Sequence, residues 1–243
     1  MNRDNFKFEI CANGVESCLA AEQGGADRVE LCAGIPEGGT TPSYGEIMQA
    51  RKLLKRTRLH VIIRPRGGDF VYSELEAERM ITDIGIARQL GADGVVFGCL
   101  TSDGEIDARL CERLMKETGD MSVTFHRAFD RCSNPAKALR QIEALGFDRI
   151  LTSGLQPTAE LGIPLLRELQ ETPDRRIILL AGCGVNEQNI AKIHEQTGIC
   201  EFHFSARENC STAADKEFGE RLLTTERRVK ATIEALCNPR QEA

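Results

Sequence analysis

Two short segments of this chain each pair a carboxylate with a thiol at a spacing of two residues. Glu9 and Cys11 form one pair, and Glu30 and Cys32 form the other. Residues two apart in a β-strand face the same side, so each strand would direct its acid and its thiol together. Two thiols on neighbouring strands could hold one soft ion such as Cu(I). Buried thiols are also ordinary packing groups, and that alternative stays open.

A pair of arginines stands where a predicted strand runs into a glycine-rich loop. Arg64 and Arg66 flank one proline and would share one face. Guanidinium groups in this arrangement suit a carboxylate or a phosphate. The alternative is that Arg64 only neutralises Glu30, because adjacent strands lie about 4.8 Å apart. Burial of Arg66 as well would leave surplus positive charge, which an anion could balance.

Two histidines fall at inward positions of predicted strands. His126 follows a strand end and His203 lies within a later strand. A positioned imidazole can act as a general acid or base, provided that a partner fixes its tautomer, and Glu30 or Glu201 could serve. We therefore assign a hypothetical catalytic role to His126 and Glu30. The alternative is a core histidine whose hydrogen bonds are satisfied by the fold.

Three loops carry groups that could bind an anion. Glycines favour close approach of backbone N–H groups to a phosphate, although they also suit any tight turn. The candidate ligands in these loops are Ser153, Gly182, Gly184, Ser205 and Arg207. Together with Arg64, Arg66 and His203, they form the predicted anion-binding set.

The elements that must position these residues show a repeating pattern. A glycine that ends a helix and starts a strand recurs at intervals of 52 to 66 residues, which is long enough for two βα units each time. The even strands follow Gly25, Gly91, Gly146 and Gly198, and the odd strands are predicted at residues 6–11, 59–64, 122–127 and 177–181.

Strict alternation of eight strands with helices predicts a single-domain (β/α)8 TIM barrel. The domain would span residues 1–243, with 238–243 as a frayed tail. A doubly wound sheet is the alternative, weakened because no G-x-G-x-x-G follows the first strand. Amphipathic helices are predicted over 74–90, with Leu75 and Met80 on the buried side, and over 135–145 after an Asn134 cap.

Composition narrows the classes of partner. The chain has 243 residues, a net charge of −6 and no tryptophan, which argues against nucleic acid and anionic membranes as partners. No apolar stretch is long enough to span a bilayer, and the start of the chain lacks an apolar signal region. The ten cysteines form no Cys-x-x-Cys motif. We therefore expect reduced thiols and a cytoplasmic location.

Seven segments together resemble the CutC copper-homeostasis family, and the similarity covers nearly the whole chain. They are EICANGVES (9–17), GGADRVELC (24–32), EGGTTPS (37–43), RPRGGDF (64–70), TFHRAFD (124–130), LTSG (151–154) and FHFSAR (202–207). The resemblance implies a TIM barrel, a cytosolic homodimer and a part in copper tolerance, with Cys11 and Cys32 as the matching Cu(I) ligands.

Two functions follow as hypotheses. The first is a copper-handling protein that binds Cu(I) without turnover. The second is an enzyme that acts on a small phosphorylated or carboxylated metabolite, in which the arginines and loop groups hold the anion while His126 and Glu30 move protons.

Overall fold

Eight parallel strands close into a barrel in which each strand is hydrogen-bonded to the next and the last to the first. The structure is a computed structural model, and it describes residues 1–211 and 221–237. The prediction of a single-domain TIM barrel is confirmed. The strands are β1 Lys7–Ala12, β2 Arg28–Leu31, β3 Arg58–Ile62, β4 Gly94–Phe97, β5 Ser122–Phe125, β6 Arg149–Thr152, β7 Ile178–Gly182 and β8 Glu201–Phe204.

Helices surround the barrel and alternate with its strands. They are α1 Val15–Gln23, α2 Tyr44–Leu53, α3 Glu74–Gln89, α4 Ala108–Thr118, α5 Pro135–Ala144, α6 Ile163–Gln170, α7 Ile190–Thr197 and α8 Glu226–Cys237. After β8 the chain adds a short antiparallel pair, β9 Arg207–Asn209 and β10 Leu222–Thr224. Single turns of 3-10 helix cover Arg3–Asn5, Ile35–Glu37 and Arg127–Arg131.

Polar caps fix where the helices begin. Asn134 accepts a hydrogen bond from the Lys137 amide, as predicted for α5. Ser73 and Glu76 form a capping box at the start of α3, in which each side chain accepts from the other residue's backbone N–H. Both caps follow loops, so they also set where the βα loops end.

The hydrophobic core lies between the barrel and the helices. Phe8 and Phe202 are fully buried on adjacent strands, with ring centroids 6.3 Å apart. The prediction for Leu75 was wrong, because its side chain is 80% exposed. It precedes Met80 by five residues, which places it about 140° away around α3 from the buried face.

The predicted tail, residues 238–243, lies outside the described residues, so the extent of the domain to residue 243 stays a prediction. In the described part of the chain, none of the helices has the length and apolar character needed to cross a bilayer.

Candidate dithiol site at the carboxyl end of the barrel

A cavity of about 400 Å³ opens among the loops that follow the strands, and we call it the C-terminal cavity. It collects residues from both ends of the sequence, since every parallel strand delivers its carboxyl end to the same face. Predicted site residues that line it are Cys11, Glu30, Cys32, Arg64, His126, Gly184, His203, Ser205 and Arg207.

Two thiols and one carboxylate lie together in the wall of this cavity. The Sγ atoms of Cys11 and Cys32 are 3.9 Å apart. Cys32 Sγ also lies 3.4 Å from Glu30 Oε2. One ligand atom from each of the three residues falls within 4.8 Å of the other two. The pairing of Cys11 with Glu30 across β1 and β2 produces this cluster, because Cys32 follows Glu30 on the same face.

His203 connects the cluster to the barrel interior. Its Nδ1 is 2.8 Å from Glu9 Oε1, and its Nε2 is 3.5 Å from Glu30 Oε2. Burial disfavours the imidazolium, but hydrogen bonds to Cys11 and Glu9 and the charge of Glu30 together raise the pKa of His203 well above its usual value. The imidazolium charge is therefore held between two acids and a thiol.

The two thiols differ in acidity. The hydrogen bond with Cys32 and the neighbouring His203 and Arg207 lower the pKa of Cys11, against the effect of burial. The same bond to Cys11, together with burial, raises the pKa of Cys32. Arg207 Nη2 lies 3.3 Å from Cys11 Sγ, so the thiolate form of Cys11 is stabilised by a direct charge contact.

Glu30 is an unusually weak acid in this position. Its side chain is almost fully buried, and its Oε1 has no hydrogen-bond partner among residues 1–211 and 221–237. Burial is the main cause that raises the pKa of Glu30 to about 8, while His203 opposes the shift. The carboxyl therefore keeps its proton to higher pH than an exposed glutamate does, and in that form it can donate as well as accept a hydrogen bond.

His126 lies in the cavity, but the partners predicted for it were wrong. Its Nδ1 accepts a hydrogen bond from the Ala128 amide within its own segment, and its buried Nε2 has no partner within the two described ranges of the chain. Burial, with the nearby charge of Arg64, lowers the pKa of His126 to about 3, so the ring is neutral. Glu30 interacts with His203 instead, and Glu201 lies at the opposite end of the barrel, between two arginines.

Arg64 does not neutralise Glu30, so that interpretation was also wrong. Its guanidinium donates to the backbone carbonyls of Glu37, Gly39 and Gly68. It also lies over the Phe70 ring at 4.9 Å. These bonds hold together the two loops that follow β2 and β3. Arg64 Nε is buried and has no hydrogen-bond partner in the described part of the chain.

Three predicted ligands lie away from the cavity lining. Arg66 is bound to Glu76 and Asp69 at 2.5 and 2.9 Å, and it is more than a third exposed. Ser153 donates a hydrogen bond to Asp130, and a Cβ added to Gly182 would lie 2.5 Å from Leu151 Cδ1. Arg66 departs from the predicted role because Asp69 and Glu76 already pair with its guanidinium.

Nine lining residues were not predicted as site residues. They are Ile35, Gly38, Ile62, Phe70, Arg127, Leu151, Cys183, Val185 and Phe204. Cys183 has a φ of 78° and donates its thiol hydrogen to Pro157 O. Its position inside the Gly182–Gly184 turn was the one available signal, because the middle residue of such a turn is the most exposed to a ligand. Phe70 is the last residue of the RPRGGDF segment, and a phenylalanine at that position does not by itself indicate a functional site.

The fold and this cavity define a class, namely a single-domain TIM-barrel protein with a partly buried thiol pair and a carboxyl group at the carboxyl ends of its strands. A family model for the CutC family matches residues 6–208. The chain therefore belongs to the CutC family.

Relatives in the family are similar over most of this chain. A family protein CutC of Bacteroides thetaiotaomicron is 63% identical over 95% of this chain and 98% of its own length. The copper homeostasis protein cutC homolog of Homo sapiens is 49% identical over 84% of this chain and 74% of its own. The crystal structure of the putative copper homeostasis protein CutC from Streptococcus agalactiae superposes with a TM-score of 0.79 at 37% identity, over 82% of this chain and 98% of that chain.

Proposed function

We propose that this protein binds Cu(I) through Cys11 and Cys32, with Glu30 beside them, and buffers or presents the ion without turnover. The observation that carries the proposal is the 3.9 Å separation of the two Sγ atoms in the wall of an open cavity. Thiolates are the ligands that select Cu(I) among the common metal ions. Relatives of this chain carry copper homeostasis in their names, which is consistent with such a role.

The electrostatics of the cluster favour a soft monovalent cation. Cys11 is stabilised as a thiolate, whereas Cys32 and Glu30 hold their protons more tightly. Metal binding must displace the Cys32 proton, so Cu(I) affinity should increase with pH. The neighbouring His203 and Arg207 limit how much positive charge the cluster accepts, which disfavours divalent ions.

Competition with a chromophoric Cu(I) chelator tests the proposal. The variant with Cys11→Ser and Cys32→Ser should lose at least about 100-fold in Cu(I) affinity, since both soft ligands are gone. Cys200→Ser is the matched control, because Cys200 is an exposed thiol away from the cavity. Equal affinity of the double variant and the wild type would refute the proposal.

A second candidate function is an enzyme that acts on a small organic anion in the same cavity. Four buried polar atoms of its lining residues have no hydrogen-bond partner in the part of the chain that the structure describes: Glu30 Oε1, Arg64 Nε, His126 Nε2 and Arg207 Nε. Buried polar groups are normally hydrogen-bonded, so an unmatched set in one cavity favours a ligand with both donors and acceptors. The cavity is also larger than a single ion requires.

Thermal-shift measurements with a panel of phosphorylated and carboxylated metabolites test this second function. An anion that binds there should raise the melting temperature of the wild type more than that of Arg207→Gln. Arg66→Gln is the control, because Arg66 points away from the cavity and is bound to acids of its own. If no anion of the panel raises the melting temperature of the wild type more than that of Arg207→Gln, the result would count against the enzymatic function.

We further infer a cytoplasmic homodimer. All ten cysteines are free, including the pair at 3.9 Å, which suits a reducing compartment. Light scattering would give the mass in solution, and fractionation would give the location.

A further inference from the structure

A second cavity of about 740 Å³ lies at the opposite face of the barrel, where the strands begin, and we call it the N-terminal cavity. The first residues of six strands line it, and all six are polar. They are Lys7, Arg28, Arg58, Ser122, Arg149 and Glu201. Four of these residues are cations and only one is an acid, so the entrance to the barrel is a basic ring.

The acids near the ring are already engaged by the fold. Glu201 binds Arg28 at 2.7 Å and Arg149 at 3.0 Å. Glu9, which is buried below the cavity, binds Arg28 at 2.6 Å. Two carboxylates therefore balance two guanidinium groups, and a fold-stabilising network accounts for all four of these residues.

The rim acids are committed in the same way. Glu22 Oε2 accepts from three consecutive backbone amides, those of residues 55–57. Asp27 accepts from Arg3, Lys7 and the Phe8 amide. Asp27 is already paired with two cations, whereas Glu22 is fixed by amides and keeps its negative charge, so five cations line the cavity against three carboxylates.

Arg56 and Arg58 are the two arginines of the cavity that take no part in the ion pairs described above. Both line the cavity, and neither has an ion pair or a side-chain hydrogen bond to an acid within residues 1–211 and 221–237. Arg149 binds Glu201 through Nε and Ser122 through Nη1, so its Nη2 has no protein partner in that same part of the chain. A fold-stabilising network does not require these groups, whereas a bound anion would use them.

His60 supplies an independent observation inside the cavity. Its side chain is 1% exposed, and its Nδ1 has no hydrogen-bond partner among the described residues. The closest acid oxygen, Glu9 Oε2, is 3.8 Å away, beyond hydrogen-bond distance. An imidazole buried in this state has an unused hydrogen-bonding capacity directly below the basic ring.

We propose that the N-terminal cavity binds a small multivalent oxyanion, a phosphate or a polycarboxylate, through Arg58, Arg56 and the Nη2 of Arg149. The guanidinium groups supply forked donors that match the oxygen geometry of both anions. The site is distinct from the C-terminal cavity and does not depend on the thiols.

Isothermal titration calorimetry on the full chain tests this site, with inorganic phosphate and citrate as separate probes. A chloride salt sets the same ionic strength in both titrations. The wild type should bind at least one probe saturably, at one site per chain. Arg58→Gln should weaken that binding by at least about fivefold, because Arg58 is a surplus cation. Arg58 is exposed and starts a strand, so the variant should fold, which circular dichroism would check.

Two matched variants locate the anion. Arg109→Gln removes an exposed arginine from α4 outside both cavities and should leave binding unchanged. Arg207→Gln changes the C-terminal cavity and should leave the binding that depends on Arg58 unchanged. Binding of phosphate alone would identify a phosphate group as the ligand. Binding of citrate alone would identify a polycarboxylate. Either result supports the site.

Absence of saturable binding of both probes would overturn the proposal. Weakening by Arg207→Gln with no effect of Arg58→Gln would also overturn it, since the anion would then occupy the other cavity. Neither outcome bears on Cu(I) binding, which the serine variants of Cys11 and Cys32 test separately.

Discussion

Single buried side chains decide how this protein responds to pH. His60 and His126 are enclosed in the barrel, and burial is the main cause that lowers the pKa of His60 to about 4 and of His126 to about 3. In the unfolded chain each imidazole regains a pKa near 6.5. The unfolded state therefore binds more protons than the native state between about pH 6.5 and pH 3 to 4.

The first prediction follows at this scale. The native state should be fully stable with respect to these groups above pH 6.5 and should lose stability as the pH falls toward 4. His126→Gln removes one titrating group. Between pH 6.5 and 4, the free energy of unfolding of this variant should therefore fall by about 2 kcal/mol less than that of the wild type. Urea unfolding at several pH values measures this, and His194→Gln, on α7 outside the barrel interior, is the control. Parallel pH profiles for wild type and His126→Gln would contradict the assignment.

At the scale of elements, glycines in the strands make room for inward polar rings. A Cβ placed on Gly94, the first residue of β4, would lie 2.5 Å from His60 Nε2. A Cβ on Gly98, just beyond the same strand, would lie 2.7 Å from His126 Nδ1. The loops of the C-terminal cavity are positioned in a different way, by the three hydrogen bonds that Arg64 donates to backbone carbonyls.

The second prediction compares two glycine substitutions. Gly94→Ala should destabilise the protein by about 1–3 kcal/mol, because the buried His60 ring has no space to move away. Gly85→Ala is the matched control, since Gly85 lies in the middle of α3 with no atom within 4 Å of a new Cβ. It should stabilise the protein by about 0.5–1 kcal/mol through helix propensity. Thermal unfolding of both variants measures the contrast, and equal effects would refute it.

For the whole molecule, the barrel interior is a polar column that joins the two cavities. Glu9 contacts Arg28 with one oxygen and His203 with the other. Arg28 in turn binds Glu201 at the N-terminal cavity, and His203 adjoins Glu30 at the C-terminal cavity. Most barrels of this kind fill the interior with branched apolar side chains, so these charges are held in place only by one another.

The third prediction belongs to this column. Arg28→Met should cost about 3–5 kcal/mol, because it leaves Glu9 and Glu201 buried with less compensating charge. Arg113→Met removes an arginine that binds Glu74 and Glu78 at the surface, and it should cost less than about 1 kcal/mol. Urea unfolding at neutral pH measures both. A small effect of Arg28→Met would mean that water reaches the column and screens its charges.

The sequence by itself determined the fold. The recurring glycine before each even strand, the alternation of strands with helices and the inward parity of Glu30, Cys32 and His203 all predicted the barrel and its polar interior, because these are local patterns with a fixed period. The same parity also predicted that Cys11 and Cys32 would share a face. Leu75 was misassigned because its departure from the helical period is a weak signal beside the four other apolar residues of the pattern, which are Met80, Ile84, Ala87 and Leu90.

Only the tertiary structure decided which partner each polar group takes. Arg64 and Arg66 share a motif, yet one bonds to loop carbonyls and the other to Asp69 and Glu76. His126 and His203 are both inward, yet only His203 reaches an acid. Hydrogen bonds form over about 3 Å, whereas sequence patterns fix a side chain only to one face of an element, so the choice of partner depends on how strands and loops pack in three dimensions.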